Sequence, residues 1–206
     1  MLALVWYMRI FCVRHAESSS NVSRRFPDEG LPAELTDRGL VQAKRVADVL
    51  SHVGVEAVYS SPMVRAKKTA EFISHVTHSN LFVDERLREA GLGRLAGAEF
   101  DEIRKGDLQW YLEYFGLRKR YGLEDFGSMV ARMRSLVTDV HEKGAKDVVF
   151  VTHLEPIRAM VSLAIGLYGD FVRRFRVDNA SVSIFEYSGE WLVMRALNWL
   201  PLDSYS

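Results

Sequence analysis

The sequence holds a single cysteine, Cys12, which excludes an internal disulfide framework and a multi-cysteine metal site. It has no excess of either charge: Lys plus Arg and Asp plus Glu are both 27, a formal net charge of zero. A neutral chain is a poor electrostatic trap for nucleic acid or an anionic membrane, so neither is expected as a partner, although a small local basic pocket stays open. No apolar run is long enough to span a bilayer. The apolar start, residues 1–7, has no basic residue before it and no small-residue cleavage site after it, so it does not read as a signal peptide. Either it prolongs the first strand or Met8 is the natural start. Cytoplasm is the default compartment. Repeats, low-complexity tracts, a Walker loop, zinc-ligand spacing and a Gly-x-Ser-x-Gly elbow are also missing.

What is present is ordinary for a soluble globule: 48% hydrophobic and 26% charged residues in a chain of 206. That length suits one α/β domain over 1–206, large enough to bury about 70% of its unfolded surface without staples. Strand-like and helix-like segments alternate. Residues 9–14 read as the first strand, followed by a loop over 17–34 and a helix that Thr36 caps. Short strands at 57–59 and 81–83 flank a helix opening after Pro62. Met129, Val130, Met133, Leu136, Val137 and Val140 form an amphipathic stripe. Residues 147–152 (DVVFVT) read as a central parallel strand buried on both faces. Pro156 is expected as a first helical residue of a helix running to about Leu167. Strands 181–187 and 191–196 close the chain as a hairpin turning at Ser188-Gly189-Glu190. The fold class is therefore α/β, a three-layer αβα sandwich with a mostly parallel sheet and an antiparallel edge.

Ligands of open α/β sheets bind beyond the carboxyl ends of the strands. Those ends carry Arg14 and His15, then Ser60, Ser61 and Arg65, then Glu85, Arg88 and Glu89, and finally His153. Arginine's planar fork suits phosphate, histidine is a nucleophile once a neighbour fixes its tautomer, and a carboxylic acid can protonate a leaving alkoxide. Phosphoryl transfer through a phosphohistidine uses these parts without a metal. His52, His75, His78 and His141 lie near helix C-termini and read as surface residues complementing the helix dipole.

Arg14-His15-Ala16-Glu17, with Asn21 following, resembles the Arg-His-Gly-Glu signature of the histidine phosphatase superfamily, which also contains the phosphoglycerate mutases. The likeness continues through Leu35-Thr36-Asp37-Arg38-Gly39, Tyr59-Ser60-Ser61-Pro62 with Arg65-Ala66, and Leu87-Arg88-Glu89 with Gly93 and Gly97. It ends with Val151-Thr152-His153 with Ile157-Arg158, and Asn179-Ala180-Ser181. The resemblance implies a phosphoglycerate mutase-like fold. It makes His15 the nucleophile, gives Arg14, Arg65 and His153 the phosphoryl oxygens, and makes Glu89 the proton donor. Asn21 and Arg25 are substrate-binding candidates, and backbone N–H groups near Pro156 are expected to face the anion. The family's cap would lie over about 91–127, where Trp110, Tyr111, Tyr114, Phe115 and Tyr121 surround Arg118-Lys119-Arg120. For any one of these residues, core packing or a solvated charge run is the plainer reading.

Two departures stand out. Ala16 replaces the usual glycine, which is safe only where φ is not positive. Leu154-Glu155-Pro156 replaces the usual Gly-Gly pair, bringing Leu154 and Glu155 to the pocket edge. Glu155 either disfavours a second anionic group on the substrate, binds a hydroxyl or amine, or simply complements the helix N-terminus. The expected activity is metal-independent hydrolysis of small phosphorylated metabolites, with no cofactor. A phosphoglycerate mutase and a catalytically silent phosphate-binding relative are the alternatives. An apolar tail, 197–202, leaves a homodimer open.

Overall fold

The structure, a computed structural model, describes residues 7–23, 25–26, 33–99, 101, 103 and 114–201. The apolar start 1–6, Trp110 and Tyr111 of the aromatic segment and Leu202 lie outside the described residues, as do the side chains of Tyr114 and Phe115.

Strand β1 (Met8–Arg14) is apolar on both faces and alternates between them. Ile10 and Cys12 join one core layer, Phe11 and Val13 the other. After a helical turn, α1 (Ser19–Val22), the chain enters helix α2 (Asp37–Leu50), β2 (Ala57–Ser60), α3 (Val64–Thr77) and β3 (Asn80–Val83). Helix α4 (Tyr114–Tyr121) precedes α5 (Phe126–Glu142), β4 (Asp147–Thr152), α6 (Leu154–Ile165) and the hairpin β5 (Val182–Tyr187) and β6 (Leu192–Trp199). The sheet order is β3-β2-β4-β1-β5-β6. The first four are mutually parallel, and β5 runs antiparallel to both β1 and β6.

Helices α2 and α3 cover the Phe11 and Val13 face, while α5 and α6 cover the Ile10 and Cys12 face. The stripe from Met129 to Val140 is wholly buried, as its spacing predicts. Each fully buried aliphatic side chain of this kind contributes about 1.5–3 kcal/mol of burial free energy. Thr36 caps α2 by accepting from Gly39 N at 3.0 Å, and Asp125 caps α5 by accepting from Ser128 N at 2.9 Å.

Two expectations need correction. Helix α6 begins at Leu154 and ends at Ile165, so Pro156 is its third residue rather than its first. The position is still harmless, because none of the first helical N–H groups has an intrahelical partner to lose. The left-handed Gly166 (φ 68°) stops the helix before Leu167. Strand β6 extends to Trp199, because a register shift against β5 and a left-handed Asn198 (φ 56°) carry pairing past the alternating pattern.

Strand register places the site. Arg14 pairs with Thr152, and Ser60 pairs with Val151. The next residues along three neighbouring strands, His15, His153 and Ser61, therefore emerge side by side. Among the described residues no helix is long and apolar enough to cross a membrane.

Candidate active site

His15 leaves β1 with its backbone N–H on Thr152 O at 2.9 Å and its ring buried. Its Nδ1 lies 2.8 Å from Ala16 O, a carbonyl that can only accept, so Nδ1 carries the proton. Nε2 is then the unprotonated nitrogen, and Arg65 Nε donates to it at 3.1 Å. Burial, followed by the charges of Arg65 and Arg14, holds the imidazole pKa well below 6.5. A neutral ring with an unprotonated Nε2 is the state a nucleophile needs.

His153, fully buried at the end of β4, faces His15 with ring centroids 5.0 Å apart. Its Nε2 is 2.8 Å from Ser61 Oγ, and its buried Nδ1 has no hydrogen-bond partner among the described residues. Arg14 donates through Nη1 to Val177 O at 2.6 Å, which fixes its fork, while its buried Nε has no partner among the described residues. Burial lowers the pKa of both Arg14 and Arg65, and the carboxylate of Glu89 pulls each back up. Glu89 is thus the anion that faces the cationic pocket. Glu85, its rival in sequence, is spent on Arg88 at the surface.

Glu89 is half-buried. Its Oε1 accepts from Ala90 N at 2.9 Å and from Glu155 N at 3.2 Å. Two donors on one oxygen leave Oε2 as the atom able to carry a proton. The segment is held from outside by Arg132 of α5, which donates to Arg88 O at 2.9 Å, to Arg86 O and to the Glu124 carboxylate. Glu124 in turn exchanges hydrogen bonds with Gly91 through N and Oε2. Neither Arg132 nor Glu124 was singled out in the sequence.

The loop after β1 is tightly bound. Asn21 Oδ1 accepts from Ser18 N at 3.0 Å and Asn179 Nδ2 at 3.2 Å, and Asn179 Nδ2 also reaches His15 O at 3.0 Å. Asn179, inside the Asn-Ala-Ser block, is a site residue the sequence flagged only by that block. Ala16 is buried against Ala43 and Ala180, and its φ is not positive, so alanine is unstrained there. Glu17 binds Thr36 Oγ1 at 2.8 Å, and a Cβ on Gly39 would collide with Glu17 O. Only glycine lets α2 approach the loop after β1 so closely.

Arg25 is not drawn into this cluster: its exposed guanidinium pairs with Glu99 at 2.5 Å. Leu154 packs on the core rather than standing alone at the rim. In the first turn of α6, Glu155 N is used by Glu89, Pro156 has no N–H, and Ile157 N closes on His153 O, so the helix offers the anion little. The Glu155 carboxylate lies between Arg118 (3.1 Å) and Arg158 (2.6 Å). Arg118, read as part of a solvated charge run, is buried, while its neighbours Lys119 and Arg120 are exposed. Of the remaining histidines, His52, His75 and His78 are exposed and His141 stacks edge-on against Tyr187.

A buried histidine beside the buried Arg65 and the partly buried Arg14, with a second histidine and a carboxyl group, at the strand ends of an αβα sandwich, is the arrangement of a phosphatase working through histidine. The chain belongs to the histidine phosphatase superfamily (branch 1), whose sequence model matches residues 10–200. A Hydrogenobacter thermophilus protein provisionally named phosphoserine phosphatase 2 is 31% identical over 195 residues, 93% of this chain and 96% of its own. The 2,3-bisphosphoglycerate-dependent phosphoglycerate mutase of Thermoplasma acidophilum is 28% identical, covering 90% and 91%. A solved mycobacterial glucosyl-3-phosphoglycerate phosphatase complexed with VO3 superposes with a TM-score of 0.82 at 25% identity, covering 93% and 99%.

Proposed function

We propose that this protein hydrolyses small phosphate monoesters in two steps through a phosphohistidine at His15 Nε2. The observation that carries this reading is the tautomer: Nδ1–H is bound to Ala16 O, which leaves the Nε2 lone pair facing the Arg65 guanidinium. In the first step Nε2 bonds to phosphorus, the ester P–O bond breaks, and Glu89 Oε2 gives its proton to the departing oxygen. The arginines neutralise the charge gathering on the phosphoryl oxygens. In the second step Glu89 takes a proton from water, the oxygen attacks phosphorus, the P–N bond breaks and phosphate leaves. No metal enters either step. In this reading the chain is one domain with a cap-like insertion at about 91–127, a reading supported by the pairing of Arg118 with Glu155.

The mutase similarity supplies the competing reading, in which the phosphoryl group returns to an organic acceptor instead of water. A single assay separates them: para-nitrophenyl phosphate and 3-phosphoglycerate, each with EDTA, using His15→Ala as control. Release of phosphate that the variant loses by about 10⁴-fold or more is expected. Bisphosphoglycerate-dependent isomerisation without net phosphate release would instead establish a mutase. Retained phosphate binding with no turnover would leave a binding protein.

A further inference from the structure

Glu155 sits where the superfamily resemblance leads one to expect glycine, and its backbone N–H bonds the proton donor Glu89 at 3.2 Å. Both oxygens of its carboxylate accept from guanidiniums. Oε1 takes Arg158 Nη1 at 2.6 Å, and Oε2 takes Arg118 Nη1 at 3.1 Å. All three side chains are largely buried, with relative exposures of 5% for Arg118 and 14% for each of the other two. The triad borders the phosphoryl pocket electrostatically: Glu155 and Arg158 both act on Arg14, and Glu89 acts on Arg118.

Two guanidiniums converging beside a phosphoryl pocket would ordinarily make a subsite for a second anionic group. Here an internal carboxylate already holds that place. We infer that Glu155, clasped by Arg118 and Arg158, is a specificity-determining residue that selects phosphate monoesters of uncharged alcohols over those bearing a carboxylate or second phosphate near the ester. Glu155 cancels one of the two positive charges and engages Nη1 of each arginine, so an incoming anion is offered less charge and fewer donors than the bare pair would give. Displacing Glu155 would strand a carboxylate in a poorly solvated site. Recognition of a substrate amine by Glu155 fits less well, because both of its oxygens are taken. This inference rests on the phosphatase reading.

The test uses glycerol 3-phosphate and 3-phosphoglycerate, which differ by a hydroxymethyl group against a carboxylate, with para-nitrophenyl phosphate as a general probe. The wild type is expected to favour glycerol 3-phosphate in kcat/KM by about tenfold or more. Glu155→Gln removes the charge, keeps the backbone N–H on Glu89, and is expected to lower that ratio by about tenfold, chiefly through KM for 3-phosphoglycerate. A ratio unchanged in Glu155→Gln overturns the inference. So does a wild-type preference for 3-phosphoglycerate, which needs no variant and stands even if Glu155→Gln fails to fold. If para-nitrophenyl phosphate is hydrolysed and the charge preference is absent, this inference alone falls. If none of the three esters is hydrolysed, the phosphatase reading falls and takes the inference with it.

Discussion

Arg65 Nε donates to His15 Nε2 from 3.1 Å, so one of the two arginines beside this ring holds its lone pair directly. In the mechanism proposed above, that hydrogen bond has to open before nitrogen can bond phosphorus, and the freed guanidinium is then already placed for the phosphoryl oxygens. The same positive charge is the second cause, after burial, of the low His15 pKa.

Arg65→Ala is therefore expected to do two separable things. It should cut kcat/KM by about 10²-fold or more, as loss of a transition-state donor does. It should also raise the His15 pKa, since a charge opposing the imidazolium is gone. The first is read from kinetics and the second from the ring resonances of His15 across pH. An unshifted His15 titration in Arg65→Ala would contradict the contact.

Stability should depend on pH through the buried histidines. His15 and His153 are both held well below 6.5, first by burial and then by Arg65. They stay neutral in the folded protein while the unfolded chain takes up protons below about pH 6.5. Their stabilising contribution is therefore complete above about pH 6.5 and declines as pH falls toward the folded values. The limiting slope is about 1.4 kcal/mol per pH unit for each ring. Urea midpoints at pH 7.5, 6 and 5 should fall in that order. The double variant His15→Asn, His153→Asn should fall less steeply, and equal slopes would refute the assignment.

In the proposed mechanism Arg132 is a positioning residue, because its hydrogen bonds go to the segment ahead of Glu89. It ties the carbonyls of Arg86 and Arg88 to the Glu124 carboxylate, just ahead of Glu89. Arg132→Met should loosen the proton donor. The expected result is a kcat loss of about 10²-fold for an alkyl phosphate, whose leaving oxygen needs a proton, and a much smaller loss for para-nitrophenyl phosphate. Equal losses on both would mark a purely structural role.

The pocket's centre was legible because its members sit at strand ends, where local pattern decides placement. His15 and His153 terminate apolar runs, and parallel register does the rest. Glu89 was legible only through its Leu-Arg-Glu setting, since nothing local distinguishes it from Glu85. What sequence reading missed depends on tertiary neighbours. Arg118 in the run 118–120 looks solvated, but α4 lays it against Glu155 and the Phe126 ring, 5.7 Å from its centroid. Arg25 shares the phosphate loop in sequence but bridges to Glu99 in space. The α6 boundary was misplaced because proline is tolerated anywhere in the first turn.

The pairing of β1 with β4 has an evolutionary consequence. Arg14 opposite Thr152 sets the His15 to His153 spacing by backbone hydrogen bonding alone, so no loop length enters it. Insertions, deletions and charge swaps in the surrounding connections leave the reactive pair in place. New substrate preferences can therefore arise by redrawing the perimeter, with the geometry of the reactive pair inherited intact.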